Sequence, residues 1–217
     1  MVHQSAYALS ILTKFGMSDC NSVSTPMEST KFDLKGPELP PNLPYRQLIG
    51  SLLYLTNGSR PNLTFATNYL SRFQQSPKKE HYGMLKRILR YLRGTVNLGI
   101  CYHSQGEGIS LYADADFASD VFDRKSTSGI IVCLFGDPVT WSSRKQSCTA
   151  LSTTEAEYVA MSEAIRDAKF IYWLTSDIIQ NIPTPICLYE DNVSAIQLAK
   201  TQENKRTKHF EVKYHYI

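Results

Sequence analysis

Near Gly94 the apolar pattern of this 217-residue chain changes character, and that change limits what it can fold into. Before it, apolar residues recur at the three-four spacing of helices; after it, β-type runs appear together with three helical stretches. A chain of this kind needs two differently built cores.

In the first part, Tyr7, Ala8, Ile11, Leu12 and Phe15 predict a short helix over residues 4–15, which Gly16 stops. The stretch from Ser24 to Pro44 carries prolines, Gly36 and scattered charge without apolar periodicity, and reads as a linker or long loop. Leu48, Ile49, Leu52 and Leu55 predict a helix over 45–55, and another starts at Arg60-Pro61 and carries Phe65, Ala66, Tyr69, Leu70 and Phe73. A third, over 77–93, places Met84, Leu85, Ile88, Leu89 and Leu92 on one side, with Lys79, Lys86, Arg87, Arg90 and Arg93 elsewhere.

Beyond Gly94, β-type runs cover residues 98–103, 109–117, 129–135 and 138–142, with Gly136-Asp137-Pro138 as a hairpin turn. Ser152-Thr153-Thr154-Glu155 matches a capping box and opens a long helix through Tyr158, Met161, Ile165, Ala168 and Tyr172. Residues 185–189 read as a short strand, 192–200 as a helix, and 207–217 as a last helical segment. Trp141 and Trp173 read as core aromatics.

Composition narrows the class. With 42% hydrophobic and 20% charged residues the chain can bury one or two cores. A formal charge of +3 and a pI near 8.5 permit a polyanionic partner without requiring one. The cysteines are odd in number and contain no Cys-x-x-Cys pair, which argues against a zinc ribbon or a disulfide framework. Apolar stretches break well short of the roughly 20 residues that span a bilayer, and the N-terminus does not read as a signal peptide. The expectation is a protein without a membrane partner, in the cytoplasm or nucleus.

Chemistry concentrates in three acidic clusters. Tyr112-Ala113-Asp114-Ala115-Asp116 ends one apolar run, Thr154-Glu155-Ala156-Glu157-Tyr158 opens the long helix, and Tyr189-Glu190-Asp191-Asn192 ends another run. Carboxylates at strand ends and on a helix covering the sheet can converge, and their repulsion becomes tolerable when divalent cations sit among them. The pattern points to an Mg²⁺-dependent phosphodiester site. Strand and helix periodicity turns Glu155 and Glu190 away from the faces of Glu157 and Asp191, while Asp116 shares a strand face with Asp114. His209 and His215 read as surface residues.

Taken in order, the motifs resemble the C-terminal part of a copia-type retrotransposon Pol polyprotein, the tail of its reverse transcriptase followed by its ribonuclease H domain. The resemblance rests on Val23-Ser24-Thr25-Pro26-Met27, Tyr45-Arg46-Gln47-Leu48-Ile49-Gly50, Thr56 to Arg60-Pro61, and Leu89-Arg90-Tyr91-Leu92-Arg93-Gly94-Thr95. It continues through the three acidic clusters, Asp123-Arg124-Lys125-Ser126-Thr127-Ser128-Gly129, and Thr207-Lys208-His209.

The resemblance implies an α/β fold. A ribonuclease H-like mixed sheet with flanking helices would occupy residues 103–217, preceded over 1–102 by a mainly helical reverse-transcriptase thumb/connection remnant. It implies Asp114, Glu157 and Asp191 as catalytic metal ligands, Mg²⁺ as cofactor with Mn²⁺ as a substitute, and an RNA/DNA hybrid as substrate. Lys79, Lys86, Arg87, Arg90 and Arg93, with Arg124, Lys125, Arg144 and Lys145, would contact the nucleic acid. The remainder of a Pol polyprotein is a further expected partner. The paired aspartates of the polymerase are missing, so DNA synthesis is not expected. The family's fourth acid normally follows the His209 region in a further strand and helix; with the sequence ending at Ile217, the expected site is one ligand short and its activity impaired. Glu211 belongs to the preceding motif and is not a substitute.

Two Arg-x-Leu-Arg tetrapeptides, Arg87 to Arg90 and Arg90 to Arg93, match the mark of oomycete secreted effectors. A secreted effector, or another non-catalytic nucleic-acid-binding or domesticated fragment, is therefore the competing reading.

Overall fold

The computed structural model describes residues 1–28 and 36–201; the segment expected to be helical over 207–217, with His209, Glu211 and His215, lies outside the described residues. The chain divides into two compact units, Met1–Tyr102 and His103–Ile217.

The first unit is helical: α1 (Ser5–Lys14), α2 (Tyr45–Gly58), a 3-10 turn (Pro61–Leu63) that runs on into α3 (Thr64–Ser71), and α4 (Lys79–Gly94). Pro61 opens the 3-10 turn, where its missing N–H leaves no hydrogen bond unmade. The apolar stripes seen in sequence meet in one core, with Ile11, Leu48, Leu52, Leu70, Ile88 and Leu92 all buried. Two polar staples cross this core. Arg60, almost wholly buried, donates from Nη1 to the carbonyl of Thr95 at 2.9 Å and from Nη2 to its hydroxyl at 2.6 Å. A guanidinium there also meets the negative end of α4. His81 stacks on Phe73 at 4.0 Å between ring centroids, and its Nδ1 accepts the N–H of Lys78 at 3.0 Å, tying down the start of α4.

Residues 98–103 do not form the expected strand. Ile100 makes one antiparallel bridge with Val2, and Cys101 to His103 are exposed. Apolar content alone cannot make a strand where no neighbouring strand extends the ladder.

The second unit contains β1 (Ile109–Asp116), β2 (Thr127–Leu134), β3 (Asp137–Lys145), α5 (Thr153–Ser176), β4 (Cys187–Tyr189) and α6 (Val193–Lys200). The strands lie in the order β3-β2-β1-β4, antiparallel except for the parallel pair β1 and β4. Ile109, Leu111, Ala113, Ile130 and Val132 pack with Ala160, Met161, Ala164 and Ala168 of α5. The described residues thus form a mixed α/β structure with a four-stranded mixed sheet and six α-helices, compatible with the ribonuclease H-like arrangement expected.

The hairpin turn falls earlier than expected, on Phe135 and Gly136, whose φ values of 51° and 86° are both positive. A two-residue turn of this hand matches the twist of the flanking strands. Asp137 is already paired with Leu134, and its Oδ2 accepts the N–H groups of His103 and Ser104, each at 2.7 Å. Pro138 is tolerated because β3 is an edge strand. Trp173 departs from its expected place: it is 63% exposed, on the side of α5 that turns away from the sheet, because three-four spacing on a long helix does not say how far its partner sheet extends.

Candidate metal centre

The centre is assembled by three elements. The parallel register of β1 with β4 pairs Ser110 with Cys187 and Tyr112 with Tyr189. Asp114 and Asp191 each follow the last of these pairs by two residues, and the chain after β4 brings their carboxylates together. Glu157 comes from the first turns of α5, on the face shared with Ala160, Met161 and Ala164. Ser152 caps that helix by accepting the N–H of Glu155 at 3.2 Å, while Glu155 Oε2 accepts the N–H of Leu151 at 2.6 Å. The capping box therefore closes one residue further out than its sequence form implies, and it fixes the position of Glu157.

One carboxylate oxygen from each of Asp114, Glu157 and Asp191 lies within 4.8 Å of the others. Asp114 and Asp191 are exposed, whereas Glu157 is only 7% exposed. Glu157 accepts the backbone N–H of Ala115, and its Oε2 is buried with no hydrogen-bond partner. Burial, with the charges of Glu190, Asp114 and Asp191 adding to it, pushes the Glu157 carboxyl up to about 8. A buried oxygen without a donor, among like charges, is costly unless a cation is near. The donors are hard carboxylate oxygens without a histidine or cysteine among them, a set suited to Mg²⁺ or Mn²⁺ rather than zinc.

Glu190 differs from the sequence expectation. It lines the same cavity of about 390 Å³ as Asp114, Asp191 and the stacked rings of Tyr112 and Tyr189, 5.0 Å apart. Strand alternation is what turned it away in sequence, but β4 ends at Tyr189, and beyond that point alternation no longer sets direction. No sequence signal would have placed it. Asp116 is exposed and does not join the three oxygens that come together.

Several of the basic residues expected on nucleic acid have partners within the chain. Arg87 binds Glu28 and donates to Thr25 Oγ1 at 3.0 Å, Arg90 donates to the Asn21 carbonyl at 2.8 Å, and Arg93 to the Ser18 carbonyl at 2.6 Å. Together they fasten the segment after α1 along α4. Lys125 donates to the Ser147 carbonyl at 2.8 Å, and Arg144 pairs with Asp167 at 2.9 Å. Lys145 pairs with Asp120 at 2.7 Å and Asp123 at 2.9 Å. Burial opposes charge on Asp120, yet the bond from Lys145 and the N–H groups of Phe122 and Asp123 outweigh it and hold the carboxyl down to about 2. Lys79, Lys86 and Arg124 are exposed, with Lys86 Nζ 5.2 Å from the ring centroid of Tyr82.

No protein-family model matches the chain, and no solved structure matches it. Among curated proteins, it is 36% identical over 228 residues to the retrovirus-related Pol polyprotein from transposon TNT 1-94 of Nicotiana tabacum, covering 99% of this chain and 17% of that protein. It is 40% identical over 219 residues to the retrovirus-related Pol polyprotein from transposon RE1 of Arabidopsis thaliana, covering 99% of this chain and 15% of that protein. It is also 44% identical over 135 residues to secreted RxLR effector protein 161 of Plasmopara viticola, 62% of this chain and 93% of that one. The chain spans only 15% to 17% of the length of these Pol relatives, yet they align along nearly all of it. Along nearly its whole length, then, the chain is similar to a short stretch of retrovirus-related Pol polyproteins from transposons.

Proposed function

We propose that the second unit is a ribonuclease H-type nuclease that hydrolyses the RNA strand of RNA/DNA hybrids, with Mg²⁺ as cofactor and Mn²⁺ as a substitute. One observation carries the reading: oxygens of Asp114, Glu157 and Asp191 lie within 4.8 Å of one another, and Oε2 of Glu157 is buried among them without a partner. Similarity to Pol polyproteins along nearly the whole chain supports it, because the motif order resembles a reverse-transcriptase tail followed by ribonuclease H. The first unit is then the thumb/connection-like segment of that polymerase.

Asp114, Glu157 and Asp191 would hold divalent cations, whose chemistry there would be to activate a water and to offset charge on a leaving 3′ oxygen. The chain's own residues hold the geometry. Asp114 and Asp191 present oxygens on the open side, where a phosphate would approach, and Glu157 is anchored from behind by the N–H of Ala115. The stacked rings of Tyr112 and Tyr189 give the cavity a flat apolar wall suited to a sugar or a base.

The test is cleavage of a labelled RNA/DNA hybrid by the full chain with Mg²⁺ or Mn²⁺. Cleavage to 5′-phosphate and 3′-hydroxyl ends, abolished by Asp114→Asn, is the expected result. An intact hybrid with either ion refutes the reading.

The relative named a secreted RxLR effector supports a second reading, a non-catalytic nucleic-acid-binding or domesticated fragment, a secreted effector among these. Both Arg-x-Leu-Arg tetrapeptides lie inside α4, where Leu89 is 1% and Leu92 0% exposed. Their leucines belong to the core, which weighs against an accessible linear signal. Hybrid bound equally by the wild type and Asp114→Asn, without cleavage, would favour this second reading.

A further inference from the structure

Glu190 is the acid that the three-carboxylate reading does not use. Its Oε1 accepts the N–H of Asn192 at 3.0 Å, so the side chain is fixed against the turn that leads into α6. Its Oε2 is buried and has no hydrogen-bond partner, as has Oε2 of Glu157, which is 7% exposed. Glu190 borders the same cavity as Asp114 and Asp191.

An orphaned oxygen on Glu190, which lines the cavity, and another on Glu157, whose carboxylate meets those of Asp114 and Asp191, call for donors that the protein itself does not supply. Mg²⁺ binds protein through few carboxylates and keeps several waters, each of which needs an acceptor. Glu190 lies outside the set of three whose oxygens come within 4.8 Å of one another, which suits it to a hydrating water better than to the ion itself. Resting on the metal-centre reading above, we propose that Glu190 is a positioning residue of that centre, whose free Oε2 accepts a hydrogen bond from water on a cation held by Asp114, Glu157 and Asp191. Carboxylates in this outer position orient a metal's ligands and strengthen its binding.

The test is Mn²⁺ binding to the full chain, followed by the electron paramagnetic resonance signal of the free ion, together with the melting temperature of the metal-free protein. Glu190→Gln keeps the shape and an acceptor for Asn192 but removes one negative charge from the cluster. The expected result is Mn²⁺ affinity weaker by about tenfold or more, with a metal-free melting temperature equal to or above that of the wild type. A residue that only supports the turn gives the opposite pair: lower melting temperature and Mn²⁺ affinity within about twofold of wild type, and that pair overturns the proposal. Affinity is measured on protein shown by circular dichroism to be folded; if Glu190→Gln does not fold, Glu190→Ala is measured against the same affinity outcomes. Loss of binding in Asp114→Asn with no loss at position 190 refutes this inference alone. Wild-type protein that binds no Mn²⁺ refutes the metal centre itself.

Discussion

The backbone N–H of Ala115 donates to the carboxylate of Glu157, tying the first turns of α5 to the end of β1 just where Asp114 stands. The bond lowers the cost of ionising Glu157, but burial and three neighbouring acids prevail and raise its pKa to about 8. A group whose folded pKa is raised binds protons more tightly when folded, so its stabilising contribution is complete below its unfolded value and is lost as pH rises through the folded one. Protection of the β1 and α5 amides in metal-free protein, taken relative to the intrinsic exchange rate at each pH, should therefore fall between about pH 4.5 and 8. Glu157→Gln should flatten that slope, and excess Mg²⁺ should reverse it at pH 8. A slope unchanged in the variant would place its origin elsewhere.

The first unit should respond to pH in the opposite sense. Burial, with the charge of Lys78 adding to it, lowers the pKa of His81 to about 4, and its Nδ1 is engaged as an acceptor. A depressed histidine contributes stability that is present above its unfolded value near 6.5 and is lost as pH falls through about 4. Protection of the α4 amides, taken relative to the intrinsic exchange rate at each pH, should fall as pH falls across that window, and His81→Gln should make the fall less steep.

Arg60 predicts a large single-site effect. Removing it leaves the carbonyl and hydroxyl of Thr95 without their buried donor, and it empties a fully buried position beside Tyr91. Arg60→Ala should destabilise the first unit by about 3 kcal/mol, read as a shift in the urea midpoint. Arg60→Lys should recover only part of this, since one ammonium cannot reproduce the fork.

Asp120 should matter as much in the second unit. It is 4% exposed, accepts the N–H of Phe122 at 2.9 Å and takes Lys145 at 2.7 Å, so it organises the loop between β1 and β2. Asp120→Ala leaves these donors unmatched and should cost about 2–3 kcal/mol. Because its pKa is depressed to about 2, the contribution is present above the unfolded value of 3.8 and fades as pH falls below it, so the wild-type and variant melting curves should converge in acid.

Much of the local structure was legible in sequence. Three-four apolar spacing marked each helix of the first unit, and Ser152 and Asn192 capped α5 and α6 through side chains, accepting the N–H groups of Glu155 and Ala195. Asp114, Glu157 and Asp191 could be chosen because each sits in a motif of its own. The misses share a cause. The strand expected over 98–103 lacked a partner, the hairpin turn moved because Asp137 is fixed in β3, and Trp173 lies on α5 where no sheet faces it. Arg87, Arg90 and Arg93 read as a free cationic stripe because the segment that occupies them is far from α4 in sequence.

By itself the sequence determined the resemblance to Pol polyproteins, most of the succession of elements and the choice of three acids, since periodicity, caps and motif order are properties of neighbouring residues. Only the tertiary structure decided that these acids share one point, that Glu190 borders the cavity beside Asp114 and Asp191 and that the arginines of α4 hold the chain to itself. Those facts depend on the offset between β1 and β4 and on where each strand ends. Long-range pairing of that kind is set by the packing of the whole sheet against α5, and no stretch of neighbouring residues encodes it.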